Sequence, residues 1–161
     1  MPIVGHGVDI VEVARIAEMR ERHTDRFLER CFTRAEQAYA ADNPKRTDEH
    51  LAGRFAAKEA ALKAIGTGWR SGIAWTDLEI VLEPSGAPRL RVTGRAGEIA
   101  RDMGVTRWHV YISHTDRDAT AASSRPARVP VTTSRRPAVT ASGHSATIRA
   151  VAVGDRSRAS R

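Results

Sequence analysis

The chain changes character near Ala122, and that break sets how much of its 161 residues can fold. From Ser123 to Arg161 there is no Leu, Phe, Trp or Tyr, and three prolines (Pro126, Pro130 and Pro137) interrupt a run of Ser, Thr, Ala and Arg. Such a segment can bury too little apolar surface to offset the entropy of ordering it, so residues 123–161 read as a disordered tail. The fold must then come from residues 1–122, one domain of ordinary size. The break also locates the charge. Eight arginines and one acid, Asp155, fall in the tail, which therefore carries the whole net charge of +7 and leaves the first 122 residues neutral. A nucleic-acid-binding fold would carry its basic charge on the fold itself. The net charge thus argues little for that class, and no specific nucleic-acid partner is expected.

Within the first 122 residues the hydrophobic periods alternate between helix and strand. Ile3 to Asp9 reads as a short buried strand, with Gly5 and Gly7 permitting close backbone approach. Glu12 to Arg22 reads as a helix, and Thr33 with Glu36 has the spacing of a capping box opening another, which stops before Pro44. A long helix starts at Thr47 or Asp48 and runs to about Ile65, closed by Gly66 and Gly68. Leu78 to Glu83 and Arg89 to Val92 flank a Pro-Ser-Gly-Ala-Pro turn as a hairpin. Ala96, Ile99, Ala100 and Met103 share a helical face, and Trp108, Val110 and Ile112 line a strand ending at Ser113-His114-Thr115. The predicted fold is α+β: one small domain with a long central helix packed on antiparallel strands. Cys31 stands alone, so no internal disulfide can form; no apolar run reaches membrane-helix length; and Met1 to Gly7 lacks the pattern of a signal peptide. A cytoplasmic protein without a membrane partner is expected.

Two stretches carry groups suited to chemistry. In Gly7-Val8-Asp9-Ile10 an acid ends a strand just before a helix. In Arg54-Phe-Ala-Ala-Lys58-Glu59-Ala-Ala-Leu-Lys63, Glu59 and Lys63 lie at i and i+4 on one helical face, and Arg54 and Lys58 form a second such pair rotated from it. One carboxylate among three bases suits a polyphosphate held with a metal, since magnesium takes one or two carboxylates plus water and phosphate oxygens. On position alone, Asp9 is equally well a helix cap and Glu59–Lys63 an ordinary surface pair. On the first helix and its exit, Arg15, Met19, Arg22 and Arg26 fall at i, i+4, i+7 and i+11 with Phe27 beside them. That stripe is either a solvated face balanced by Glu18 and Glu21 or a basic surface for an acidic helix.

Taken in order and spacing, GVDIVEV, LAGRFAAKEAALKAIGTG and SHT resemble the signature of the phosphopantetheinyl transferases, in the short single-domain form of holo-(acyl carrier protein) synthase. The resemblance covers Ile3 to Thr115. It implies a magnesium-dependent enzyme that moves phosphopantetheine from coenzyme A to a serine of an apo acyl carrier protein, releasing adenosine 3′,5′-bisphosphate, in the service of fatty acid and lipid metabolism. It further implies Asp9 and Glu59 as magnesium ligands, and Glu59, Lys58 and Lys63 as the catalytic groups. Arg54, Gly66, Thr67, Gly68, His114 and Thr115 would cradle coenzyme A. Arg15, Met19, Arg22, Arg26 and Phe27 would dock the carrier, in a homotrimer whose sites lie at subunit contacts. Two other readings compete: a catalytically impaired relative that only binds a carrier, and a nucleic-acid binder acting through the arginine tail. Family members follow the third motif with an apolar strand. Here Ala119 and Ala121 begin one and the bulky residues then vanish, so a shortened or absent last strand is expected.

Overall fold

A computed structural model of the chain describes residues 3–70 and 72–126; the expected tail from residue 127 onward lies outside the described residues. The elements are β1 (Ile3–Glu12), α1 (Val13–Cys31), α2 (Arg34–Ala41), α3 (Thr47–Ile65), β2 (Leu78–Leu82), β3 (Pro88–Val92), α4 (Gly94–Asp102), β4 (His109–His114) and β5 (Asp118–Pro126). β1, β5 and β4 form one antiparallel sheet in that order, and β2 and β3 form a separate antiparallel hairpin. The fold is α+β, as the alternation of periods predicted. No described helix is long and apolar enough to cross a membrane.

The centre of the molecule is α3. Ala52, Ala56, Ala57, Ala60 and Ala61 are fully buried around it, so sheet and helices approach its backbone on nearly every side. Gly7 shows how close β1 comes: a Cβ there would run into the backbone of Ala60 and Ala64 and the Cβ of Lys63. Local signals hold at both ends of the flanking helices. Thr33 and Glu36 make the capping box that opens α2, with Thr33 N–H donating to Glu36 Oε2 at 2.9 Å. Gly66, at φ 73°, closes α3 in the left-handed conformation.

Two expectations need correction. β1 extends to Glu12, and α1 runs from Val13 to Cys31 across a kink at Thr24 (φ 40°, ψ −127°), instead of ending near Arg22. The last strand is neither short nor absent: β5 spans nine residues and pairs on both sides, four residues past the expected boundary at 122. The reason is what it faces. Ala119, Ala121 and Ser123 are its buried positions, and a strand squeezed between two neighbours and packed on an alanine-rich helix requires small side chains. Bulky residues were the wrong signal to look for.

Ser123 is the weak point of this strand, because its hydroxyl is buried without a partner. An unsatisfied buried group costs about 1–3 kcal/mol. Ser123→Ala, which keeps the shape and removes the hydroxyl, is therefore expected to raise the thermal midpoint by several degrees in a melting experiment. An unchanged or lower midpoint would mean that the hydroxyl is satisfied.

Candidate active site

Where β1 crosses α3, the fold brings together the two stretches singled out in the sequence. Lys63 Nζ donates to Asp9 Oδ1 at 2.6 Å and to Val8 O at 3.0 Å. Glu59 lies one turn earlier on the same face of α3. Burial, and then the charge of Asp9, push the Glu59 carboxyl above the usual carboxylate range, while Lys63 and Arg15 pull it back. Asp9, Glu59, Lys63 and Arg15 therefore act on one small volume, although 50 residues separate Asp9 from Glu59 in the chain.

The pair fits magnesium by its chemistry. Both carboxylates are partly buried and act on each other, a setting in which a cation is favourable, and the Lys63 ammonium lies against Asp9. Among the described residues no group of three or more His, Cys, Asp or Glu gathers to hold an ion.

Lys58 does something other than expected. Its side chain is wholly buried, and Nζ donates to Glu36 Oε2 and Cys31 O, both at 2.7 Å, and to Trp75 O at 3.2 Å. An ammonium with three acceptors in the core has no donor left for a phosphate. Glu36, expected only as a capping residue, also accepts the Ile80 N–H at 2.9 Å. The ion pair thus ties the end of α1, the start of α2, α3, the Trp75–Asp77 turn and β2 into one knot. Burial holds the Lys58 pKa down, and the charge and hydrogen bond of Glu36 oppose that.

The expected coenzyme A cradle falls in two places along α3, near its middle and at its C-terminal end. Near the middle, Arg54 is 6% exposed and its guanidinium lies 3.9 Å above the Tyr39 ring. Nη1 donates to His50 O at 3.1 Å, while Nε has no partner. His114 Nδ1 lies 3.3 Å from Arg46 Nη2 and 3.4 Å from Glu49 Oε2. Tyr39, His50, Arg54, Pro88, Ile112 and His114 line a cavity of about 170 Å³. At the C-terminal end, Gly66 and Gly68 turn the chain with positive φ, and the Thr67 hydroxyl is buried with no partner among the described residues. Gly66 lies twelve steps along the chain from Arg54, about 18 Å at about 1.5 Å per residue. Thr115 shapes a turn: its Oγ1 accepts the N–H groups of Arg117 and Asp118 at 3.1 Å. Tyr39, Arg46, Glu49 and His50 were missed. His50 alone had a signal, since it lies one turn before Arg54.

On α1, Arg15 and Arg22 are exposed and Met19 is half-buried, with Arg22 paired to Glu18 at 2.6 Å. The kink at Thr24 resets the helical phase, so the exposed Arg26 does not continue the stripe. Phe27 leaves the docking set altogether. It is 5% exposed and packs edge-on against Phe32, with ring centroids 5.7 Å apart. Trp69, half-exposed beside Gly68, stacks on Trp75 and lies under the Arg30 guanidinium.

Residues 5–123 match the family described as the 4′-phosphopantetheinyl transferase superfamily. The chain is 48% identical over 120 residues to a holo-[acyl-carrier-protein] synthase of Koribacter versatilis, covering 74% of this chain and 95% of that one. It is 49% identical over 120 residues to the synthase of Desulfovibrio desulfuricans, covering 74% and 94%. Among solved structures, the synthase of Neisseria meningitidis superposes with a TM-score of 0.70 at 29% identity, over 78% of this chain and 99% of that one. The Bacillus anthracis synthase, in complex with coenzyme A, superposes with a TM-score of 0.64 at 35% identity, over 78% and 98%.

Proposed function

This chain belongs to the holo-(acyl carrier protein) synthase family of phosphopantetheinyl transferases, and on that premise we propose that it moves phosphopantetheine from coenzyme A to a serine of an apo acyl carrier protein, with magnesium, releasing adenosine 3′,5′-bisphosphate. The observation that carries this reading is the Asp9–Lys63–Glu59 constellation at the crossing of β1 and α3. Relatives crystallised with coenzyme A support the donor.

Asp9 and Glu59 would hold the magnesium ion. Held there, magnesium would supply charge neutralisation and Lewis-acid polarisation of phosphate oxygens. Lys63, half-exposed above Asp9, presents its ammonium to the departing phosphate and stabilises the charge that gathers there. The serine hydroxyl must lose its proton to a base within reach, and the candidates are Glu59 or a water molecule held beside it. Arg54, whose Nε has no partner among the described residues, and His114, which lines the same cavity, would bind an anionic portion of the coenzyme. The Gly66–Thr67–Gly68 turn offers open backbone to another.

We assign the protein to a homotrimer in which the two parts of the cradle come from neighbouring copies. Two observations support this. The parts lie about 18 Å apart along α3 in one chain, one near its middle and one at its C-terminal end. The outer face of the sheet also carries an exposed apolar patch: Val8, Ala122 and Tyr111 stand in register across its three strands, with Ile10 beside them. We place the enzyme in the cytoplasm and its carrier in fatty acid synthesis. Incubation of the full chain with coenzyme A, magnesium and an apo carrier, followed by intact-protein mass spectrometry, tests the reading: the carrier gains one phosphopantetheine, or the proposal fails.

The basic face of α1 makes a separate prediction. Charge reversal at Arg22, which shares the stripe with Arg15 and Met19, is expected to raise the carrier KM severalfold and weaken its salt dependence, because exposed charges steer association and are screened within about 10 Å at 0.1 M salt. The coenzyme A KM should not move. Equal losses for both substrates would remove this face from carrier docking.

A further inference from the structure

An α-helix leaves its last carbonyls without partners, and a buried one must be satisfied from elsewhere. At the end of α3, Gly66 N–H takes Lys63 O at 3.0 Å. The next carbonyl, Ala64 O, belongs to a residue only 4% exposed. It accepts from Arg125 Nε at 2.8 Å. Arg125 lies on β5, opposite Gly5 of β1, and its side chain crosses β1 to reach the helix. Gly5 makes the crossing possible: a Cβ there would overlap both Ala64 O and Arg125 Nε. The guanidinium also brings a positive charge to the negative end of the helix, where it is stabilising. Ala64 adjoins Lys63 on one side and is followed by Ile65 and the Gly66–Thr67–Gly68 turn on the other.

We propose that Arg125 is a positioning residue: by holding Ala64 O it fixes the end of α3, and with it the Gly66–Thr67–Gly68 turn, in the arrangement that receives coenzyme A. The kinetic consequence rests on the coenzyme A reading of that turn; the clamp itself does not. It also moves the functional limit of the domain past the change in composition at Ala122, to a residue that composition assigns to the tail.

Arg125→Ala, Arg125→Lys and two truncations, after Ser124 and after Pro126, test this in the full chain. Arg125→Ala is expected to raise the coenzyme A KM about tenfold with kcat and the carrier KM within about twofold, the pattern of lost binding without lost chemistry. Amide exchange at Gly66–Gly68 should quicken about tenfold, while the middle of α3 stays protected. Arg125→Lys, which keeps a donor and the charge, should recover most of both effects. Truncation after Ser124 should behave as Arg125→Ala, and truncation after Pro126 as the wild type. An unchanged coenzyme A KM with unchanged exchange at the turn would overturn the proposal, as would a kcat loss equal in all variants. If the wild type binds no coenzyme A at all, the functional reading fails, and exchange at Gly66–Gly68 alone then decides the clamp.

Discussion

Glu59→Ala is expected to lower the rate of phosphopantetheine transfer by about a thousandfold or more, and Asp9→Ala by a similar factor, with both variants folded as the wild type. A thousandfold is about 4 kcal/mol of transition-state stabilisation, within what a divalent ion on a diphosphate supplies. Each variant leaves a single carboxylate facing the ion. The fold should survive because neither side chain is part of the core. Asp9 makes one ion pair with the half-exposed Lys63, and Glu59 makes no hydrogen bond among the described residues. Losing the burial and like-charge penalty on Glu59 could even stabilise the free protein. Steady-state rates at saturating magnesium, with melting curves on the same samples, check this. If either variant keeps more than about a tenth of the activity, that residue does not hold the metal. Chelation of the wild type should silence it in the same assay.

Lys58→Met is expected to act on the other side of the same helix and in the other currency, stability. It leaves the Glu36 carboxylate buried without its cation, and breaking a buried pair in this way costs about 3–5 kcal/mol. Native domains are stable by about 5–15 kcal/mol, so the variant should be close to unfolding at physiological temperature. Glu36→Gln combined with Lys58→Met should recover part of the loss, since the neutral amide can still accept the Ile80 N–H. Denaturant titrations of the single and double variants measure this. A Lys58→Met protein as stable as the wild type but weak for coenzyme A would return Lys58 to the phosphates.

That second prediction also shows where the sequence stopped being legible. The spacing in RFAAKEAALK correctly put Glu59 and Lys63 on one face and Arg54 and Lys58 on another, because helical periodicity is local. Which face meets solvent is a tertiary fact. α3 is buried on nearly every side, so its outline carried no polar stripe to read. Lys58 looked like a phosphate ligand because nothing local announces that Glu36, 22 residues away, waits in the core. Phe27 failed for a related reason: the kink at Thr24 changed the helical phase between Arg22 and Phe27, and no proline or glycine marked it. The cavity residues Tyr39 and His50 come from separate helices and meet only in the fold. The last strand was misread because apolar bulk was taken as the sign of burial, while contact with an alanine helix selects against bulk. By contrast, the capping box, the glycine that closes α3 and the hairpin followed from short patterns with a physical cause, while the approach of Asp9 to α3 was implied only by the resemblance.

The most direct measurement is a stoichiometric one. The full chain is incubated with coenzyme A, magnesium and an apo carrier protein; carrier mass and free adenosine 3′,5′-bisphosphate are then followed together, beside a carrier whose acceptor serine is alanine. The account predicts one phosphopantetheine gained per carrier and one nucleotide released, with neither in the alanine carrier nor after chelation. A folded protein that binds coenzyme A and the carrier yet leaves the carrier mass unchanged would contradict it.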